Sequence, residues 1–293
     1  MTKILLDTDI GNDIDDALCL AYLLANPECE LVGVTTVSGE PDKRAMMVSA
    51  IAKQADQDIP IYPGIAQPLM SEQRQPYPPQ FKEVHKWQHD TVFPQNEAIE
   101  FMRKTIRDNP GEITLLAVGP LTNVAVLFAA DREIPGMLKE LVLMCGRFEN
   151  KLPHAPLAEW NAWCDPYAAA IVYSSDAKIR SFGLDVTMQL VLEEEEVYEM
   201  FTADILKPVT DFAGVWFESG RSVTFHDPLA SVAVFKPEIC GYKKGDVDIE
   251  LLSERVIGLT YFKENEDGNN LIATTVEKDE FFEHYFGMLN DYK

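Results

Sequence analysis

Five aspartates crowd into the first sixteen residues, in Leu5-Leu6-Asp7-Thr8-Asp9-Ile10-Gly11-Asn12-Asp13-Ile14-Asp15-Asp16-Ala17. Like charges a few ångströms apart repel and raise one another's pKa, so packing them together is costly. A surface helix would intersperse lysines, yet no Lys or Arg lies between Lys3 and Lys43. The economical reading is a hard cation held by several of these oxygens, with the remainder facing a polar substrate.

Three further groups carry residue types suited to chemistry. Thr224-Phe225-His226-Asp227-Pro228 precedes the apolar stretch Leu229 to Phe235. A lone Asp-Pro reads as a helix cap, but His226 adds a group that titrates near neutral pH. Val118-Gly119-Pro120-Leu121-Thr122-Asn123 reads by itself as a strand-to-helix turn with a polar cap. In Glu159-Trp160-Asn161-Ala162-Trp163-Cys164-Asp165-Pro166, an extended backbone would turn Glu159 and Asn161 to the same side. A carboxylate and an amide so paired can grip vicinal hydroxyls, or can equally form a solvated loop edge.

The elements that must position these groups follow a regular rhythm. Ile4-Leu5-Leu6 before the acidic turn and the apolar stretch Ala17 to Leu24 after it read as strand, turn and helix. Leu31 to Val37, Ile113 to Val118, Leu141 to Met144 and, more weakly, Lys178 to Phe182 read as strands covered on both faces. Helices are predicted over Lys43 to Gln57, Glu97 to Asp108, Leu121 to Ala130 and Asp165 to Ser174. The alternation implies an α/β fold, an open and mostly parallel sheet with helices on both faces. In such sheets ligands bind at the carboxyl ends of strands, where the acidic turn falls. No composition break marks a domain boundary, so residues 1–293 are read as one domain, with a largely helical insertion or lid around 189–222.

Composition narrows the function classes. The 293 residues are 46% hydrophobic and 10% aromatic, ample for a large core. A formal charge of −23, from 48 acidic and 25 basic residues, disfavours a nucleic-acid polymer as partner. Much of that charge reads as solvated runs such as Glu193 to Glu196. The five cysteines form no CxxC and are an odd number, which points to reduced thiols and a cytoplasmic location. No signal peptide is read at Met1-Thr2-Lys3, and no apolar run reaches membrane-spanning length.

Taken in order, Asp7-Thr8-Asp9-Ile10-Gly11, Asp15-Asp16-Ala17, Val34 to Gly39, Val118 to Asn123, Glu159-Trp160-Asn161, Asp165-Pro166, Leu184 to Thr187 and His226-Asp227-Pro228 form a series. In that series the chain resembles the inosine–uridine-preferring nucleoside hydrolases, calcium-dependent N-ribohydrolases with a Rossmann-like core. The resemblance implies Ca²⁺ held by Asp9, Asp16, Asp227 and the Val118 carbonyl. It implies that Asp15 and Asn161 bind the ribose hydroxyls, with Glu159 also on the sugar, and that Asp7 supports the turn from behind. Cleavage of the N-glycosidic bond would follow attack by a calcium-activated water, with Asp9 as general base and His226 as the acid for the departing base. His89, and beside it His85, would lie in a loop near the substrate. Relatives of this type form homodimers or homotetramers.

The chain departs from the family pattern in three places. Two extra residues separate Gly11 from Asp15-Asp16, and Asp15 rather than Asp13 is read as the hydroxyl ligand because it immediately precedes the helix. Glu40 stands where many members carry Asn, which places a further charge near the substrate. Glu149 to His154 replaces a Gly-Asn pair, leaving Asn150 as the candidate ligand of the 5′-hydroxyl. A haloacid-dehalogenase-type phosphohydrolase is the rival enzyme, since it too begins with a strand and Asp-x-Asp. It needs a lysine and a later acidic pair that are not apparent here. An EF-hand is excluded, because Asn12 and Leu18 stand where its Gly and bidentate Glu belong. A family member that binds nucleosides without turnover is the non-catalytic alternative.

Overall fold

The computed structural model describes residues 1–149 and 154–292. Its strands are β1 (Thr2–Thr8), β2 (Cys29–Thr36), β3 (Ile61–Pro63), β4 (Ile113–Ala117), β5 (Glu140–Met144), β6 (Ile179–Phe182), β7 (Val191–Leu192), β8 (Val223–Thr224), β9 (Cys240–Ile249), β10 (Thr260–Glu264) and β11 (Asn270–Val276). All but β7 and β8 join one sheet in the order β10-β9-β11-β6-β5-β4-β1-β2-β3. From β11 to β3 every neighbouring pair is parallel, whereas β9 pairs antiparallel with both β10 and β11. The expected open, mostly parallel sheet is the one the chain forms.

Why β1 lies at the centre follows from its side chains. Ile4 and Leu6 pack into one core, and Leu5, which alternates to the opposite face, packs into the other. Helices cover both faces, so the central strands are apolar throughout. β9 to β11 differ, since they carry exposed charged residues such as Lys243, Lys244, Asp248, Lys263 and Glu264 among the buried ones. Their sequences lack the apolar run that reveals the interior strands, which is why the antiparallel edge was not read.

Helices begin close to where their sequences predict, with instructive differences. The helix expected from Lys43 starts earlier, spanning Pro41–Gln54, because Glu40 adopts a left-handed conformation and Pro41 fits the first turn. Pro166–Tyr173 is capped by the Asp165 carboxylate, which accepts from the Ala168 N–H. Residues 189–222 contain β7 and the helices Glu194–Met200 and Lys207–Phe217, and β8, which pairs with β7, follows immediately. Glu193 and Glu196 form a reciprocal capping box at the first of these helices, a local role for part of the acidic run. Among the described residues no helix is long and apolar enough to cross a membrane.

Two helices matter most for the site. Asp15–Ala25 is buried along its whole length and packs against His226–Phe235. Behind their contact, Phe225 is fully buried among Phe281, Phe282, Tyr285 and Phe286 of the helix Lys278–Asp291. Truncation there leaves a cavity beneath residues that enter the site, so Phe225→Ala should lower the unfolding free energy by about 3–5 kcal/mol. Urea unfolding checks this, and a loss below about 1 kcal/mol would show that the aromatic cluster does not anchor the segment.

Candidate active site

β1 ends at Thr8, and the chain then turns through Gly11 into the helix that begins at Asp15. Asp15 and Asp16 occupy its first turn, and Asp227 occupies the first turn of His226–Phe235. The positive ends of two helices therefore meet over the same carboxylates, which is favourable for anions. Ligand oxygens of Asp15, Asp16 and Asp227 all lie within 4.8 Å of one another, and all three residues are buried. The backbone N–H of Asp227 donates to Asp15 Oδ2 at 3.2 Å, which ties the two helix starts together directly.

Asp9 borders this trio. It is buried, and its charge is among the influences that raise the pKa values of Asp15, Asp16 and Asp227. Its Oδ2 accepts from Gln75 Nε2. Its Oδ1 faces Gly119, where a Cβ would come within 2.8 Å, so the Gly-Pro turn is shaped to admit this carboxylate. Thr8 Oγ1 donates to Asp16 Oδ1. The Val118 carbonyl accepts from Asn161 Nδ2 at 2.7 Å, and that amide also reaches the Met144 carbonyl at 3.0 Å. A carbonyl has two lone pairs, so the contact leaves Val118 oxygen able to accept once more.

Burial and mutual repulsion set the electrostatics. Burial, then Asp13 and Asp16, push Asp15 well above the usual carboxylate range, and burial, then Asp15 and Asp16, do the same to Asp227. Asp16 is raised by burial and by Asp9. Arg44, buried completely, opposes the rise at Asp9 and Asp16. Its guanidinium donates to the backbone carbonyls of Gly39, Asp9, Ile10 and Gln75, so it stays charged while gripping the turn from below. An all-oxygen donor set, buried and mutually repelling, fits a hard divalent cation.

Several predicted residues have a different local role. The segment expected to be extended at Glu159 is helical from Trp160 to Cys164, because Glu159 caps it. The Glu159 carboxylate accepts from the N–H groups of Gly146, Asn161 and Ala162, and burial raises its pKa to about 7. Glu40 pairs with Lys43 at 2.7 Å and lines a concavity of about 740 Å³ with Tyr77, Pro78 and Phe81. Pro78 packs against Gly11, which places that concavity beside the acidic turn. His89 bonds to the Trp87 carbonyl at 2.8 Å, and the exposed His85 bonds to the Lys82 carbonyl at 2.7 Å. Asn150 lies outside the described residues.

His226 is half-buried, and burial lowers its pKa to about 4. Its Nδ1 lies 2.7 Å from Thr187 Oγ1, whose own hydroxyl donates to the Gly183 carbonyl at 3.2 Å. In the neutral ring that arrangement assigns the proton to Nδ1 and leaves Nε2 as the free nitrogen. Asp7 stands behind the turn, its Oδ1 accepting from Thr35 Oγ1 at 2.5 Å and Asn123 Nδ2 at 2.7 Å. Burial raises its pKa to about 7. The extra residues before Asp15 are held by Gln80 Nε2, which donates to the carbonyls of Asn12 and Asp13 at 3.0 and 3.1 Å.

Sequence reasoning missed Arg44, Gln75 and Thr8. Arg44 had a signal, being the first Arg after the acidic run, but nothing in the sequence aimed it inward. Gln75 sits in the irregular proline-rich loop, where side-chain direction has no periodicity to reveal it.

An open, mostly parallel α/β sheet thus carries a buried carboxylate cluster at its carboxyl edge, where ligands bind in sheets of this class. The sequence model described as inosine-uridine preferring nucleoside hydrolase matches residues 4–283, and the chain belongs to that family of N-glycosyl hydrolases acting on ribonucleosides. It is similar to uridine nucleosidase 1 of Arabidopsis thaliana, 31% identical over 85% of this chain and 78% of the relative. It is 30% identical to the inosine-uridine preferring nucleoside hydrolase of Leishmania major, over 88% and 86% of the two chains. Among solved structures, a purine-preferring ribonucleoside hydrolase from Gardnerella vaginalis shares the fold, with a TM-score of 0.86 at 22% identity over 99% and 98% of the chains. The phosphohydrolase alternative is thereby set aside.

The electrostatics predict a pH dependence. Each raised carboxyl binds its proton more tightly folded than unfolded, so the stability it contributes is complete below a pH of about 4 and lost as pH rises toward its folded pKa. For Asp7, Asp13 and Glu159 that value is about 7. The lowered pKa of His226 acts oppositely, but only between about 4 and 6.5. In chelator, the melting temperature should therefore fall as pH rises from about 5 to about 7.5, three raised carboxyls outweighing the one lowered imidazole. Scanning calorimetry would reveal this, and a flat profile in chelator would contradict the assigned burial of charge.

Proposed function

We propose that the enzyme cleaves its nucleoside with a calcium ion held at the buried aspartate cluster, Asp9 acting as general base and His226 as proton donor. The convergence of Asp15, Asp16 and Asp227 from two helix starts at the carboxyl edge of the sheet supports this reading, with Asp9 beside the trio rather than within it. Asp9, Asp16, Asp227 and the Val118 carbonyl are the proposed ligands, and Asp15 with Asn161 is proposed to face the ribose hydroxyls. Calcium bound there would supply charge that lowers the pKa of a nearby water and orients it.

The chain's own groups then divide the work. Asp9 accepts the proton of the attacking water, and its second oxygen remains fixed by Gln75. The surrounding carboxylates stabilise positive charge developing on the ribose ring as the glycosidic bond breaks. Asn161, locked between two carbonyls, presents its remaining amide oxygen with little freedom. His226 delivers a proton to the departing base from Nε2, which first takes that proton from solvent because the network leaves Nε2 bare in the neutral ring.

Two substitutions test the assignment. Asp9→Asn should keep the fold and lower turnover at least about 10²-fold, because an amide cannot take the water's proton. Wild-type release of ribose from inosine or uridine by that variant would move the base elsewhere. His226→Ala should slow inosine and uridine severely while sparing a p-nitrophenyl riboside, whose leaving group needs no proton. An equal fall for both substrate types, with calcium affinity unchanged, would make His226 a positioning residue instead.

A further inference from the structure

Gln75 is an uncharged side chain in contact with the acidic site, in a loop that the family motifs do not reach. It is 2% exposed, although the loop around it is irregular and rich in proline. Its amide bridges two groups of opposite character. Trp160 Nε1 donates to Gln75 Oε1 at 3.0 Å, and Gln75 Nε2 donates to Asp9 Oδ2. An indole N–H can only donate and an ionised carboxylate can only accept, so the amide fits this gap in one orientation alone. Rotated by half a turn, it would set oxygen against carboxylate and amino group against indole N–H.

The backbone of Gln75 is fixed as well. Its carbonyl accepts from Arg44 Nη2 at 3.3 Å, and its N–H donates to Gln73 Oε1 at 2.9 Å. Arg44 simultaneously holds the Asp9 carbonyl, so one guanidinium sets the spacing between the two residues. Gly39 permits this approach, since a Cβ there would lie 2.6 Å from the Gln75 carbonyl oxygen. Trp160 is in turn packed against Trp163, over which the Arg74 guanidinium lies at 3.7 Å.

We propose that Gln75 is a positioning residue for the reaction, fixing the rotamer of Asp9 through a Trp160–Gln75–Asp9 hydrogen-bond chain. The inference rests on the reading of Asp9 as general base. Holding Oδ2 fixes the plane of the carboxylate and with it the direction of Oδ1, and a carboxylate that swings loses alignment with its proton. A displacement of about 1 Å at a reacting group costs up to about 10²-fold in rate.

The test compares Gln75→Met, Trp160→Phe and Asp9→Asn in the calcium-loaded enzyme, measuring kcat and KM for inosine and the melting temperature in chelator. Met keeps the length of Gln but cannot donate, and Phe keeps most of the ring but not the N–H. Gln75→Met should lower kcat by about 10- to 100-fold with KM within about threefold. Trp160→Phe should lower kcat in the same direction by about 3- to 10-fold, with an unchanged melting temperature, because Trp160 is 47% exposed. A wild-type kcat for Gln75→Met, or a loss confined to KM, overturns the proposal. If Gln75→Met does not fold, Trp160→Phe decides alone, and its wild-type kcat overturns the proposal. Wild-type turnover by Asp9→Asn breaks the reading of Asp9 as base whatever Gln75 does. An inactive Asp9→Asn beside a fully active Gln75→Met breaks only the inference drawn here.

Discussion

Several carboxylates sharing one buried volume repel each other and lose hydration, and the arrangement of the chain around the first strand answers that problem. Two helices start at the same place, so their unsatisfied N–H ends face Asp15, Asp16 and Asp227. One donor reaches each of three acids: the Asp227 N–H for Asp15, the Thr8 hydroxyl for Asp16 and the Gln75 amide for Asp9. Arg44 adds a buried positive charge beneath. These contacts moderate the repulsion without abolishing it, since all four acids keep raised pKa values. The residual imbalance is the property that suits such a cluster to a metal ion.

A second set of buried acids has a different job. Asp165 accepts from Thr122, the Leu69 N–H and the Ala168 N–H, and so joins the Gly-Pro turn to two other segments. Asp185 accepts from the N–H groups of Phe148 and Glu149. Glu159 is similarly committed to the N–H groups around it; on Asp7 both donors fall on Oδ1, and its buried Oδ2 has none. Asp165, Asp185 and Glu159, each holding two or three protein N–H or O–H donors, organise loops rather than the acidic cluster.

The sheet was legible because β1, β2, β4 and β5 are apolar on both faces, a pattern that only a doubly covered strand requires. The acidic turn was legible because its charge density has no structural rationale. What escaped reading depends on contacts between distant residues. Glu159 and Asn161 were expected on an extended segment, but capping by Glu159 itself starts a helix there. Glu40, read as a charge facing substrate, also takes a left-handed backbone and a Lys43 partner that no motif announces. Arg44 and Gln75 are ordinary residues by type, and only the fold turns them toward Asp9.

Asp227 completes a cluster whose other members lie at the opposite end of the chain, and this has a consequence for biosynthesis. A ribosome-bound chain exposes Asp15 and Asp16 long before their third partner is made. Throughout that interval the nascent segment carries unneutralised acids that oppose its own compaction. The cluster is assembled only once the helix at 226–235 has been translated and docked. Closure of the cluster is thus a late event, and β9 to β11 and the helix Lys278–Asp291 that packs behind Phe225 are made later still.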